Sequence, residues 1–350
     1  MNRAETAQKI PVGLLGATGA VGQRFVERLV DHPWFELAAV AASDRSRGKS
    51  YAEAARWRLT SPLPERVGAM TVAGVTDELP CAIVFSALDA ATAREAEPLC
   101  ARRGMLVFSN ASAHRMDPDV PLLIPEINAD ALDLVGRQQR ERGWKGAIIT
   151  NANCSTIFLA IALAPLDRAF GVEKVFVSTM QAVSGAGYPG VPSLDILGNV
   201  IPDIPEEGAK IEREVAKILG KTGGGAFTIS AMTYRVAVED GHTESVSAGF
   251  SRRASVSEVE SAWSEFRGSA EVAALPSAPK RPIHYLSEPQ RPQPRRDVDT
   301  ERGMATLVGG LKPCALLDWK FTVLGHNTIR GAAGASVLNA EYAAVKGLLD

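Results

Sequence analysis

Cysteine is scarce in this chain. The four cysteines among 350 residues are Cys81, Cys100, Cys154 and Cys314. No two of them have the spacing of a metal-binding pair or a disulfide framework, so no metal is expected. That usage fits a reducing compartment. Net charge is scarce too: 38 basic residues against 40 acidic ones leave −2. This removes any global electrostatic case for nucleic acid or an anionic membrane surface as partner. No uninterrupted apolar run reaches bilayer length; the most apolar window, Ala147 to Leu166, is broken by Asn151 and Asn153. The stretch Met1 to Lys9 is polar and lacks the apolar core of a signal peptide. Internal repeats and low-complexity tracts are missing. Together these absences point to a cytoplasmic protein.

What is present is globular. Hydrophobic residues make up 46% and charged residues 22% of a chain long enough for one large or two ordinary domains. Pro11 to Gly16 reads as a strand, followed by a glycine turn and the helical pattern Phe25, Val26, Leu29, Val30. Phe35 to Ala42, Cys81 to Ala87, Met105 to Ser109 and Ala147 to Thr150 are further strand-length runs, with a helix expected from Ala90 to Arg103. Strands alternating with helices predict an α/β, Rossmann-type, doubly wound parallel sheet. After about residue 170 the composition changes. Glu173 to Val183, Phe227 to Val238, Glu244 to Phe250, Met304 to Val308 and Ala315 to Leu324 read as strands, with helices at Glu206 to Leu219 and Val256 to Arg267. This predicts an α+β second domain with a mostly antiparallel sheet. The expected division is 1–153 for dinucleotide binding, completed by a C-terminal helix at 331–350, and 154–330 for catalysis and dimerisation. Leu275 to Arg296, rich in Pro and Arg, reads as an extended surface arm or a plain loop.

Cys154 carries the most chemistry. It sits in Asn151-Ala152-Asn153-Cys154-Ser155-Thr156, between an apolar strand and the apolar run Ile157 to Leu163. A cysteine at a helix start meets unpaired backbone N–H groups and the positive end of the helix dipole, and both favour thiolate. The competing reading is a buried cysteine acting as a small hydrophobe; the flanking asparagines argue against it. Gly16, Gly19 and Gly22 lie where a dinucleotide-binding turn belongs, after the first strand and opening the first helix. Gly16 permits the turn, Gly19 the approach of a pyrophosphate and Gly22 close helix–sheet packing. The spacing departs from GxGxxG, so placement carries the weight. The second strand runs into Ser43, Asp44, Arg45, Ser46, Arg47 and Lys49, whose cations and hydroxyls suit a 2′-phosphate and hence NADP; the competing reading is a solvated basic loop. Of five histidines, His242, read as part of a polar turn between strands, is the best candidate acid/base.

These residues resemble the aspartate-β-semialdehyde dehydrogenase family, in the branch found in archaea and fungi. The resemblance rests on GATGAVGQ at 16–23, SNASAHRM at 109–116, PLLIPEIN at 121–128 and NANCST at 151–156. QAVSGAGYPG at 181–190, IPDIPEEGAKIERE at 201–214, RVAVEDGHTESV at 235–246 and HNTIRGAAGASVLNAE at 326–341 complete it. It implies Cys154 as the acyl-forming nucleophile, His242 as acid/base, Gln181 orienting substrate and Asn153 lining the site. Arg235 would grip the substrate carboxylate, Glu207 its ammonium, and Lys210, Arg115 and Asn110 the phosphate. Gly16, Thr18, Gly19, Ala20, Val21, Gly22, Ser43, Arg45, Ser46, Ser86, Ser184 and Gly185 would contact the cofactor, with Asn327 on the nicotinamide amide. The implied reaction is NADPH-dependent reduction of aspartyl phosphate to aspartate semialdehyde with release of phosphate, through a thioacyl enzyme, in a homodimer or homotetramer. The pathway served would be lysine, threonine and methionine biosynthesis. Malonyl-CoA reductase and other acyl-phosphate or acyl-CoA reductases are the alternative on the same machinery. A non-catalytic nucleotide-binding protein is a further alternative.

Overall fold

The computed structural model describes residues 9–223 and 227–349, so most of the polar stretch Met1 to Lys9 lies outside the described residues. The chain divides into two units. The first comprises the described residues up to Leu123, Asp130–Asn151 and those from Ala333 onward; the second comprises Ile124–Ala129 and Ala152–Ala332.

The first unit holds a six-stranded parallel sheet. Its strands are β1 (Ile10–Leu15), β2 (Phe35–Ala42), β3 (Val72–Gly74), β4 (Ile83–Ser86), β5 (Leu106–Ser109) and β6 (Ala147–Thr150). The spatial order β3-β2-β1-β4-β5-β6 is that of a Rossmann-type doubly wound sheet. Strands β4, β5 and β6 are buried along their whole length, as strands covered on both faces must be. Helices α1 (Ala20–Leu29), α2 (Ala90–Arg102) and α3 (Leu134–Arg142) and a C-terminal helix, Gly334–Val345, belong to this unit.

The second unit is built on a seven-stranded mixed sheet: β7 (Val172–Gln181), β8 (Ile201–Pro202), β9 (Thr228–Arg235), β10 (His242–Phe250), β11 (Ile283–Leu286), β12 (Thr306–Pro313) and β13 (Trp319–Gly325). Its order is β11-β12-β13-β10-β7-β9-β8. All pairings are antiparallel except β11–β12 and β7–β9. Alternation decides the buried face: Val175, Val177, Thr179 and Gln181 on β7 and His242, Glu244, Val246 and Ala248 on β10 are buried. Helix α4 (Thr156–Phe170), apolar nearly all round, packs on these strands. The approach is close: a Cβ at Gly325 would lie 2.1 Å from the Phe158 ring. Helix α5 (Glu207–Ile218) packs against α4, and α6 (Val256–Glu265) anchors itself by the Trp263 indole N–H, which donates to Ala162 O at 2.9 Å.

Two local readings change. The Leu275 to Arg296 segment is not wholly an arm or loop, because Ile283–Leu286 forms β11 against β12 and Tyr285 stacks on Trp263 at 5.7 Å. A four-residue strand, with only Ile283 fully buried, was hidden by the surrounding Pro and Arg. His242 does not lie in the turn after Gly241; it is the first residue of β10, opposite Gly325, and fully buried. Among the described residues no helix is long and apolar enough to cross a membrane, and no cluster of three or more His, Cys, Asp or Glu could hold a metal.

Candidate active site

The second unit gathers Cys154, Asn153, Gln181, Glu207, Lys210, Arg235 and His242. Helix α4 begins at Thr156, two residues beyond Cys154. The turn before it is closed by Asn153, whose Oδ1 accepts from the N–H groups of Ser155 and Thr156 at 2.9 and 3.3 Å. Cys154 is half-buried, with Sγ 3.2 Å from His242 Nε2. The floor beneath it is backbone: a Cβ at Gly331 would come within 2.9 Å of Cys154 Cβ.

The protonation of His242 follows from its other nitrogen. The Ala182 N–H donates to Nδ1 at 3.1 Å, so Nδ1 is the acceptor and a neutral ring carries its proton on Nε2, facing sulfur. Burial and the nearby charge of Arg235 and His326 hold the imidazole pKa well below its ordinary value. An imidazolium would also set Nδ1–H against Ala182 N–H. The resting ring is therefore neutral, with its Nε2–H directed at Cys154 Sγ.

Ala182 is a hub. Its N–H fixes His242, and its carbonyl accepts from Arg235 Nη1 at 2.7 Å. Burial pulls the Arg235 pKa down, opposed by the negative charge of Cys154 and Glu207. Gln181 is buried beside them and donates to Thr179 Oγ1 at 3.3 Å. Glu207, at the first turn of α5, accepts from Asn153 Nδ2 at 2.8 Å and from Lys210 Nζ at 3.3 Å. The Glu207–Lys210 contact is thus tied through Asn153 to the turn that carries Cys154 and is more than an exposed helical ion pair.

Three residues assigned to the cofactor by resemblance surround His242 in this unit. Asn327 Oδ1 accepts from Gly241 N–H and its Nδ2 donates to Ser184 Oγ, both at 2.8 Å, so one amide clamps the segments on either side of the imidazole. A Cβ at Gly185 would stand 2.9 Å from both Arg235 Nη1 and His242 Cε1. Gly185→Ala therefore has to displace the ring or the guanidinium. We expect kcat to fall at least about 30-fold with little change in thermal midpoint; steady-state rates and a melt check both.

The glycine turn lies in the first unit. Gly16 has φ +72°, and a Cβ there would sit 2.6 Å from Ala87 O. A Cβ at Gly22 would fall 2.3 Å from Gly16 O, whereas at Gly19 nothing comes nearer than 3.4 Å. The turn is closed on its sheet side and open at Gly19, which N-caps α1 without a side-chain cap. First-turn N–H groups there are left for a pyrophosphate, and the residues fit a dinucleotide. Thr18, Ala20 and Val21 flank that opening; Ser43 and Arg45 are exposed and Ser46 half-buried beyond β2, while Arg47 is paired with Asp77 at 2.8 Å.

Ser86 ends β4, buried. Asn110 N–H and Nδ2 both reach Ser86 O, and Asn110 Oδ1 accepts from Asn151 and Ser336 at 3.2 Å each. Arg115, buried, donates to Asn110 O at 2.6 Å. Sequence reasoning passed over the main chain of Ala182, which no side-chain pattern reveals. It also passed over Glu214, a carboxylate on the apolar stripe of α5, which was a readable signal.

Glu244, two residues from His242 on the same face, is fully buried with neither carboxyl oxygen hydrogen-bonded. Burial raises its pKa well above the usual 4.5. Its unfolded counterpart ionises first, so its contribution to stability is full below that usual value and is lost as pH rises. Glu244→Met should raise the thermal midpoint at pH 8 by about 2 °C or more. The gain should shrink toward pH 4; an unchanged midpoint at pH 8 would contradict the neutral-acid assignment.

Two family models match the chain: "Semialdehyde dehydrogenase, NAD binding domain" over residues 11–135 and "Semialdehyde dehydrogenase, dimerisation domain" over 163–330. The aspartate-semialdehyde dehydrogenase of Methanothermobacter thermautotrophicus is 49% identical, with 95% of this chain and 98% of that protein covered. That of Cryptococcus neoformans is 45% identical over 98% of this chain and 99% of its own. The crystal structure of the Candida albicans aspartate-semialdehyde dehydrogenase with NADP superposes with a TM-score of 0.88 at 40% identity, covering 98% of this chain and all of that one.

Proposed function

The chain belongs to the aspartate-semialdehyde dehydrogenase family, and from that premise we propose that it reduces L-aspartyl-4-phosphate to L-aspartate-4-semialdehyde with NADPH, releasing phosphate. The observation that carries this reading is the 3.2 Å pairing of Cys154 Sγ with His242 Nε2, set beside Arg235, Glu207 and Lys210 in one unit.

The Cys154 thiolate attacks the acyl carbon, the carbon–phosphate oxygen bond breaks, and a thioester remains on sulfur. Charge develops on the carbonyl oxygen during attack, and the backbone N–H of Cys154 would donate to it, with the Asn153 amide as a second candidate donor. His242 Nε2–H stabilises the thiolate before attack and as it leaves. Arg235 uses one N–H for Ala182 O and has others for the substrate carboxylate. Glu207 exchanges its bond to Lys210 for the substrate ammonium, freeing the lysine for phosphate. Gln181 orients the substrate near sulfur.

NADPH, when bound, supplies the hydride that reduces the thioester. The glycine turn and first α1 amides would hold its pyrophosphate, and Ser43, Arg45 and Ser46 its 2′-phosphate. The same reading places the enzyme in the cytoplasm, in lysine, threonine and methionine biosynthesis. It also makes the enzyme a homodimer or homotetramer, supported by the dimerisation-domain description of the model matching 163–330.

Assay with aspartate semialdehyde, phosphate and NADP⁺ should show phosphate-dependent formation of NADPH, and malonyl-CoA should not oxidise NADPH. Absence of phosphate-dependent reduction would reject the substrate, and oxidation of NADPH by malonyl-CoA would favour an acyl-CoA reductase.

A further inference from the structure

We propose that Glu214 is a positioning residue for the nucleophile, holding the peptide that precedes Cys154 through a charge-assisted hydrogen bond. Its Oε2 accepts from Asn153 N–H at 2.6 Å, and the residue is 2% exposed among Ile211, Val215 and Ile218. Glu207 and Glu214 are seven residues apart, two turns of α5, and so lie on one stripe. The two carboxylates take the same residue from two sides: Glu214 its main-chain N–H, Glu207 its side-chain amide at 2.8 Å. The Asn153 carbonyl oxygen of that side chain is left to cap α4 through Ser155 and Thr156. Asn153 is therefore an adaptor. It transmits the position of α5 to the turn that aims Cys154 Sγ at His242.

Electrostatics sharpen the point. A buried carboxylate near a thiolate opposes ionisation of the sulfur, so activation by charge cannot be what it provides. A desolvated carboxylate is costly unless it is well hydrogen-bonded, and here a bond goes to the Asn153 N–H, between strand β6 and the cysteine turn. The gain is geometric: a displacement of the nucleophile by about 1 Å costs on the order of 100-fold in rate.

The proposal rests on Cys154 being the reacting group, and its test separates the two ideas. Glu214→Met keeps the volume and helix preference and removes the acceptor; Glu214→Gln keeps an acceptor oxygen. In Glu214→Met, kcat should fall about 50-fold with KM for aspartate semialdehyde changed less than about threefold, while Glu214→Gln loses less than about fivefold. Independently of turnover, iodoacetamide alkylation of Cys154, followed by mass spectrometry across pH, should move to lower pH in Glu214→Gln, which loses only the opposing charge, and should lie at higher pH in Glu214→Met than in Glu214→Gln, because Met also releases the turn. The alkylation profile reads the position even if the substrate assignment fails. Coincident alkylation profiles in folded Glu214→Met and Glu214→Gln would overturn the proposal, as would equal damage to kcat in both variants.

Discussion

Cys154→Ala should lower turnover by more than about 10⁴-fold while leaving NADP affinity within about twofold. Loss of the proposed covalent nucleophile removes the reaction path itself. The glycine turn that would take the pyrophosphate is built from Gly16, Gly19, Gly22 and α1, in the first unit, while Cys154 belongs to the second. The two properties should therefore part cleanly. Titration of the variant with NADP and steady-state assay at high enzyme concentration measure both. Turnover within tenfold of wild type would remove Cys154 from the chemistry.

His242→Ala should cost about 10²- to 10³-fold in kcat, the usual effect of deleting one placed donor or acid/base group. The more telling result concerns pH. With Nδ1 engaged by Ala182 N–H and the ring pKa held well below 6.5, His242 stays neutral across pH 6.5 to 8. The wild-type pH profile should show no histidine titration in that range. The sign on stability follows: a depressed folded pKa leaves the contribution of His242 complete above the unfolded value and loses it as pH falls below. Acid should therefore reduce activity and stability together, and His242→Ala should flatten the acid limb of both. A histidine titration in wild type near pH 7, absent from the variant, would show that the ring cycles as an imidazolium during the reaction.

Much of this site was legible as residue type and spacing. The apolar strand, polar turn and apolar helix around Cys154 read directly because each has its own pattern, and so did the strand–glycine–helix start of the chain. His242 was legible as a candidate but not as a strand residue. Asp240-Gly241 is a strong turn signal, and nothing local tells that the next residue begins a ladder paired with β13 and β7. The short strands β8 and β11 escaped because two to four residues offer no period to detect. Ala182 escaped for a deeper reason: it acts through its N–H and carbonyl, which every non-proline residue has. Asn327 and Gly185 read as contacts for a nicotinamide amide and cofactor. In the folded chain the Asn327 amide is hydrogen-bonded to Gly241 and Ser184, and Gly185 is pressed against His242 and Arg235. Which groups pack against which is a tertiary fact.

The most direct test is chemical capture of the acyl enzyme. Enzyme mixed with aspartate semialdehyde and NADP⁺ without phosphate, quenched in acid and digested, should show an aspartyl thioester on the peptide containing Cys154. It should be labile to hydroxylamine, and adding phosphate before the quench should return the free thiol. A Cys154 peptide that stays unmodified while NADP⁺ is reduced, or an aspartyl group on Cys81, Cys100 or Cys314 instead, would contradict the account.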